Sequence, residues 1–186
     1  MGKRQIETYE EQFSLETRRP DLTVNIAATV KTGFNCKKGD VLGEITSSGL
    51  FRRRTRAAAA GSGFSTAAAN GTVDDASVFT PGDVLKNAAG TTIGTIAANG
   101  VNTLTNQITL TGNAAVNVAA GNSVFGSDGS QVAAFLAEEG SDGVGDTSIN
   151  VITQSPALDI SKTRGLDDTA ITDLGGKKLP GNLLKF

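Results

Sequence analysis

The sequence contains no histidine and no tryptophan, and it has a single cysteine and a single tyrosine. Without histidine, the chain lacks the commonest general base and the commonest metal ligand in proteins. Cys36 cannot form a disulfide within the chain, and a lone cysteine most often packs as a small apolar group. We therefore expect no catalytic residues, no cofactor and no metal site, and we predict that the chain is not an enzyme.

Charge and hydrophobicity exclude two further classes. Charged residues make up 19% of the chain and the net charge is -2, which argues against a dedicated nucleic-acid binder. No apolar run approaches the roughly 20 residues that a membrane-spanning helix needs. The polar stretch Met1–Phe13 lacks the apolar segment of a signal peptide, which predicts synthesis and folding in a reducing cytoplasm.

What the chain has in abundance is glycine, at 23 residues, together with Thr, Val and Ile in its apolar runs. This composition favours many short strands and turns over long helices. A turn of Gly followed by Asp or Asn recurs before apolar residues at Gly39-Asp40, Gly82-Asp83 and Gly121-Asn122. The patterns predict strands over 22–30, 41–46, 91–96, 107–111, 132–137, 149–152 and 158–160, and one helix over Leu166–Leu174.

The middle of the chain differs in composition from both ends. No charged residue occurs from Asn87 to Ser127, and no Lys or Arg from Asn87 to Ser161. The preceding stretch Ala57–Ala69 is of low complexity and predicts a loop or linker, or at best a short helix at Ala57–Ala60. Asn99-Gly100 and Gly112-Asn113 predict turns, whereas Ala114–Ala120 fits a short helix and a strand equally well.

Arg52, Arg53, Arg54 and Arg56 form the densest charge cluster. The pattern favours a solvated loop. A contact with an acidic protein surface is the second interpretation, and nucleic acid the third, because no aromatic platform beyond Phe51 accompanies the arginines. We therefore expect no direct nucleic-acid binding.

Two other segments suggest sites but match known ones poorly. The acidic, Gly-rich stretch Glu138–Asp146 offers oxygen ligands, yet its spacing is not that of an EF-hand loop, so an acidic turn is the better interpretation. Gly39–Ile45 resembles a phrase of biotinyl and lipoyl carrier domains. Those domains need a modifiable Lys soon afterwards, and here none occurs before Lys86.

Residues 1–20 are charged and irregular, with Tyr9, Phe13 and Leu15 interleaved among glutamates and with Arg18-Arg19-Pro20 at the end. The segment fits a disordered tail. It fits equally well an arm that becomes ordered on a partner and uses its few apolar groups as anchors.

Two separated phrases resemble a known family when they are taken together. They are Lys38-Gly39-Asp40-Val41-Leu42-Gly43-Glu44-Ile45-Thr46 and, about eighty residues later, Asp128-Gly129-Ser130 with the Ala-rich run to Glu138. Both are similar to the strand blocks of lambda-type phage head decoration proteins. The resemblance covers residues 20–50 and 126–186, and it departs from the family over about 52–125, where the family has a short connection.

The resemblance implies a mainly β, compact decoration-protein fold with little helix. The core would be discontinuous, 21–51 with 126–186, interrupted by an inserted linker and small β subdomain at 52–125. It also implies a homotrimer on the outer surface of the virion capsid, at three-fold and quasi-three-fold positions, with the major capsid protein as partner. Residues 1–20 would then be a capsid-binding arm. Its candidate contacts follow from residue type and not from a family motif: the apolar Tyr9, Phe13 and Leu15, with Arg18 and Arg19.

A second interpretation from another class is a β-rich domain of a phage tail or fibre, in which Gly/Asn/Thr-rich strands are also common. Fibre proteins usually show longer repeats than the three short turns found here. A carbohydrate-active β domain is a third interpretation, disfavoured because the chain lacks the aromatic side chains on which sugars stack.

Overall fold

A computed structural model describes residues 24–154, 158–175, 177–179 and 183–185. The protein is mainly β with little helix, which confirms the predicted fold class at that level. The strands are β1 Val24–Val30, β2 Val41–Ile45, β3 Leu50–Arg53, β4 Arg56–Ala60, β5 Asn70–Val73, β6 Val84–Asn87, β7 Thr92–Asn102, β8 Gln107–Leu110, β9 Ser123–Phe125, β10 Phe135–Ala137, β11 Thr147–Gln154, β12 Leu158–Asp159, β13 Lys177–Leu179 and β14 Leu183–Lys185. Short 3₁₀ helices lie at Ala76–Val78 and Ile160–Lys162, and the α-helix α1 spans Asp168–Asp173.

The chain forms two compact units, and the first contains the described residues up to Val41 and those from Phe135 onward. In this unit β1 pairs antiparallel with β11 along its whole length, from Val30 opposite Thr147 to Val24 opposite Gln154. β10 pairs with the other edge of β11. β12, β14 and β13 form a separate three-stranded sheet in that order.

The second unit, Leu42–Ala134, contains the β2–β3 hairpin and a closed antiparallel barrel of six strands. The strand order in the barrel is β4, β5, β8, β7, β6 and β9, and β9 closes the ring by pairing with β4. Closure leaves the barrel without an exposed edge strand, which removes the usual route to edge-to-edge aggregation.

The barrel interior explains why its strands form where they do. Inward-facing positions alternate with outward-facing ones, as a two-residue strand period requires. Leu85, Ile93, Ile108 and Val124 are fully buried, and Phe64 fills the space beside them. Burial of each side chain of this size contributes about 1.5–3 kcal/mol to the free energy of folding. These residues therefore give the barrel a hydrophobic core of its own.

The recurring glycine turns are confirmed, and all three have one geometry. In each turn a glycine with positive φ stands two residues before a strand begins: Gly39 before β2, Gly82 before β6 and Gly121 before β9. The residue after the glycine donates its backbone N–H to the carbonyl three residues earlier, at 3.0 Å for Asp40, 3.1 Å for Asp83 and 3.2 Å for Asn122. A side chain at the glycine positions would be strained, because L-residues rarely adopt that φ.

Three local predictions are wrong. Ala57–Ala60 belongs to strand β4 and is neither linker nor helix, because Ala57 and Ala59 face the barrel interior while the strand pairs with β5 and β9. Asn99-Gly100 does not form a turn. Strand β7 runs through it with a register shift between Ile96 and Val101, which is a β-bulge.

The segment Ala114–Ala120, predicted as a helix or a strand, forms neither, although Val118 makes an isolated bridge with Phe64.

The helix predicted over Leu166–Leu174 is present as α1, which is shorter and spans Asp168–Asp173. Asp167 caps its N-terminus by accepting the Ala170 N–H at 2.7 Å, and Gly175 with positive φ follows its end.

Residues 1–20, the predicted arm, lie outside the described residues. The compact unit Leu42–Ala134 contains the whole predicted insertion at 52–125. The finer division into a decoration-protein core and an inserted subdomain stays a prediction.

Candidate functional site

All four arginines of the cluster belong to the second unit, and two of them are buried there. Arg52 and Arg53 are on β3, Arg56 begins β4, and Arg54 connects the two strands. Arg52 is 1% exposed and Arg54 is 3% exposed. The prediction of a solvated loop is therefore wrong for these two residues, because Arg52 bonds to internal carboxylates and Arg54 to the Gln131 carbonyl.

Arg52 is the centre of a buried ion-pair network. Its guanidinium contacts Asp83 through two parallel bonds, Nη1 to Oδ1 at 2.9 Å and Nη2 to Oδ2 at 3.0 Å. Nη1 also donates to Asp128 at 3.1 Å, and Nη2 to the Val78 carbonyl at 3.1 Å. The fork geometry suits arginine and not lysine, since lysine has no pair of parallel donors.

Backbone N–H groups also hold both carboxylates in position beside the arginine. Asp83 Oδ2 accepts the Thr80 N–H at 2.8 Å within its glycine turn. Asp128 Oδ1 accepts the Ser130 N–H at 3.0 Å. Burial opposes ionisation of Asp128, but hydrogen bonds from Ser130 and the Arg52 charge together outweigh it, so the pKa of Asp128 lies below its usual range.

The neighbouring Arg53 faces a different carboxylate. Its Nη2 lies 2.9 Å from Asp75 Oδ2, and its Nη1 donates to Ser77 Oγ at 2.7 Å. Burial also opposes ionisation of Asp75, and the Ser77 hydrogen bonds with the Arg53 charge outweigh it and lower the pKa of that carboxyl. This pair stabilises less than the Arg52 network, because the Asp75 side chain is 43% exposed.

The remaining two arginines donate to neutral oxygen atoms of the second unit. Arg54 Nε donates to the Gln131 carbonyl at 2.9 Å, and Arg56 donates to Ser123 Oγ at 3.0 Å. The Arg56 guanidinium also lies 5.1 Å from the centre of the Phe125 ring, within the range of a cation–π contact. Arg52 is enclosed by its own chain, whereas partner contact by Arg53, Arg54 and Arg56 stays a prediction.

The first unit repeats the pairing of a turn aspartate with an arginine. Asp40, which is 1% exposed, accepts the Lys37 N–H at 2.8 Å and lies 2.8 Å from Arg164 Nη2. Sequence reasoning found the recurring turns but missed that two of them present an aspartate to an arginine. The Gly-Asp dipeptide shared by both turns was the available signal.

A shallow cleft in the second unit was also missed. It has a volume of about 360 Å³ and is lined by Glu44, Thr46, Gly129, Val132 and Ala134. Glu44 is the exposed position of β2, whose other residues are buried, and Val132 is 53% exposed. The cleft thus combines a carboxylate with an aliphatic wall.

The acidic segment Glu138–Asp146 forms turns, as predicted. Asp142 accepts the Val144 N–H at 3.0 Å, and Asp146 accepts the Thr32 N–H at 2.8 Å. Within the described part of the chain, no three His, Cys, Asp or Glu side chains are placed to hold a metal ion. No helix in that part is long and apolar enough to cross a membrane.

The two phrases of the family resemblance meet in the structure. Thr46 N–H donates to the Asp128 carbonyl at 2.9 Å, and Ala134 N–H donates to the Leu42 carbonyl at 2.8 Å. Gly43 packs directly on the backbone of Ser130, with no space for a Cβ. Comparison of the chain with family models, curated proteins and solved structures finds no match.

Proposed function

We propose that this protein is a structural decoration protein of a lambda-type phage head. It binds the outside of the expanded shell as a homotrimer at three-fold and quasi-three-fold sites. There it clamps neighbouring major capsid subunits against the outward pressure of packaged DNA.

One observation carries the proposal: the phrase around Gly43 and the phrase around Ser130 form a single backbone-packed unit. Residues more than eighty positions apart meet through the Thr46–Asp128 and Ala134–Leu42 hydrogen bonds. Two short phrases could each resemble a family by chance. Their direct contact supports the interpretation that they are two halves of one family-like core.

The rest of the described chain is consistent with a structural role. The closed barrel supplies a rigid module, and the buried Arg52 network ties the β2–β3 hairpin to two turns. A closed barrel built from non-repeating strands also differs from the extended repeats of a tail fibre. This difference favours the decoration interpretation over the fibre alternative.

The physical basis of cementing is avidity and mass action. A trimer that engages three capsid sites gains affinity without any single contact being strong. A protein that binds only the expanded shell stabilises that state in proportion to its occupancy. The arm at residues 1–20 would add a strand or apolar anchors to a capsid subunit, with Tyr9, Phe13 and Leu15 as the anchors.

Co-sedimentation with expanded and unexpanded shells tests this function. We expect the intact protein to sediment with expanded shells only, and we expect deletion of residues 1–20 to abolish binding. The triple substitution Tyr9→Ala, Phe13→Ala and Leu15→Ala should weaken binding at least about tenfold, since truncation of apolar anchors removes most of the energy of such contacts.

A matched control is the triple substitution of polar arm residues, Thr8→Ala, Ser14→Ala and Thr17→Ala, which should change affinity by less than about twofold. Failure of the intact protein to bind either shell would exclude the decoration role and favour a tail or fibre domain. Equal loss in both triple variants would exclude the apolar-anchor account of the arm.

A further inference from the structure

One carboxylate of the second unit differs from the others in its contacts. The aspartates at 74, 75, 83 and 128 each accept at least one hydrogen bond from a backbone N–H of that unit. Glu44, at the exposed position of β2, forms neither a hydrogen bond nor an ion pair within the part of the chain that the structure describes. Its negative charge is therefore available to a ligand.

The surroundings of Glu44 favour a cation that carries an apolar stem. Glu44 and Thr46 line the cleft of about 360 Å³ together with Val132 and Ala134. Phe51 is directly opposite Glu44 in the β2–β3 register, so the two side chains stand on the same face of the hairpin. A carboxylate and an aromatic ring on one face both attract a positive charge.

Backbone contacts form the cleft before any ligand binds. The Thr46 N–H donates to the Asp128 carbonyl at 2.9 Å, and a Cβ at Gly129 would overlap Thr46 Oγ1. Val132 nevertheless stays 53% exposed beside these packed segments. A ligand would therefore meet a preformed apolar wall and would not have to order it, which lowers the entropic cost of binding.

Lysine has the chemistry that matches this lining. Its four-carbon stem can lie along Val132 and Ala134 while its ammonium reaches the Glu44 carboxylate. The ammonium has three N–H donors, which Glu44, the Thr46 hydroxyl and water can accept. Arginine fits less well, because its planar head has five donors and only two of the lining side chains contain an acceptor.

We propose that the Glu44 cleft binds a lysine side chain of the major capsid protein and forms a second contact with the shell, besides the arm. This inference deepens the proposed function and rests on it. The five described residues that line the cleft all belong to the phrases Lys38–Thr46 and Asp128–Glu138, whose contact carries that function, and none lies on a barrel strand. One exposed ion pair is weak, but a trimer would repeat it three times.

Zero-length cross-linking on expanded shells identifies the occupant of the cleft. A water-soluble carbodiimide activates the Glu44 carboxylate, and a lysine amine held in the cleft displaces the activating group to form an amide. We expect mass spectrometry to find Glu44 joined to a lysine of the major capsid protein. A Glu44 cross-link to a lysine of this chain would overturn the proposal, and so would the absence of any Glu44 cross-link on shells that carry the bound protein.

Neutralisation of Glu44 measures how much the contact contributes. Glu44→Gln keeps the size of the side chain and should raise the dissociation constant for expanded shells about tenfold, because the loss is repeated in each protomer. Lys86→Gln is the matched control, since Lys86 also forms no ion pair or hydrogen bond among the described residues of the unit. It should change the constant less than about twofold. Unchanged binding of Glu44→Gln, or an equal loss in both variants, would overturn the proposal, and circular dichroism confirms that both are folded.

Titration with n-butylammonium tests the cleft without a shell. The probe should shift the Val132 methyl resonances of methyl-labelled protein in a saturable way, whereas n-butanol, which has the same stem and no charge, should not. The Glu44→Gln variant should lose the response. Shell binding without these shifts would overturn this proposal alone. Saturable shifts without shell binding would overturn the capsid occupant together with the proposed function and would leave only the chemistry of the cleft.

Discussion

Replacement of Arg52 by Met should destabilise the protein by about 3–5 kcal/mol, the usual cost of removing one partner from a buried ion pair. Met nearly matches the apolar stem of arginine but leaves Asp83 and Asp128 facing each other without a cation. The side chain of Arg52 is 2% exposed and that of Asp83 is 13% exposed, so water cannot fully replace the lost bonds. Arg52→Lys should lie in between, because lysine keeps the charge but cannot reproduce the two parallel bonds to Asp83.

Urea unfolding followed by far-UV circular dichroism measures this effect, since the chain has no tryptophan to report by fluorescence. Lys86→Met is the control for loss of one positive charge on the same unit, and it should change stability by less than about 0.5 kcal/mol. An Arg52→Met variant as stable as the Lys86→Met control would show that the network does not hold the hairpin to the turns at Asp83 and Asp128.

Gly43→Ala should destabilise the protein by at least about 3 kcal/mol, which is the upper range for overpacking against rigid backbone. A Cβ at this position would overlap the Ser130 carbonyl oxygen and lie 2.5 Å from its carbon and 2.7 Å from Cα. Backbone atoms cannot rotate away as a side chain would. The Ser130 turn would have to move, which would strain the Thr55–Ser130 and Thr46–Asp128 hydrogen bonds.

Gly112→Ala is the matched control in the same unit. A Cβ there meets no atom within 4 Å, and the residue does not have a positive φ, so its stability should be nearly unchanged. Thermal unfolding of the two variants measures the difference directly. Equal melting temperatures would show that the Gly43–Ser130 contact is not a fixed feature of the fold.

Local features of this fold could be read from the sequence, because their causes are local. The turns at Gly39, Gly82 and Gly121 need a positive φ, which glycine supplies. The strand that follows each turn begins only two residues later, so turn and strand lie close together in the sequence. Helix α1 was predicted from its apolar face and from Gly175 after its end. Strands β1, β8 and β11 were predicted from alternation or from runs of β-branched residues, which require no knowledge of the partner strand.

Features that depend on distant partners were missed. Arg52 was expected in a solvated loop. Its carboxylate partners lie 31 and 76 positions away in the sequence, so no local pattern indicates that they pair with it. The Ala57–Ala60 run became a strand because barrel pairing outweighs the intrinsic preference of alanine for helix. The cleft beside Glu44 also requires Val132, almost ninety residues later.

The most direct test of cementing uses DNA-filled, expanded heads that lack any decoration protein. Such heads should be heated with and without saturating amounts of the purified protein, and the temperature at which their DNA becomes accessible to an intercalating dye should be recorded. We expect the protein to raise this temperature in a saturable way, and we expect deletion of residues 1–20 to remove the effect. An unchanged temperature at saturating concentrations of the intact protein would contradict the account.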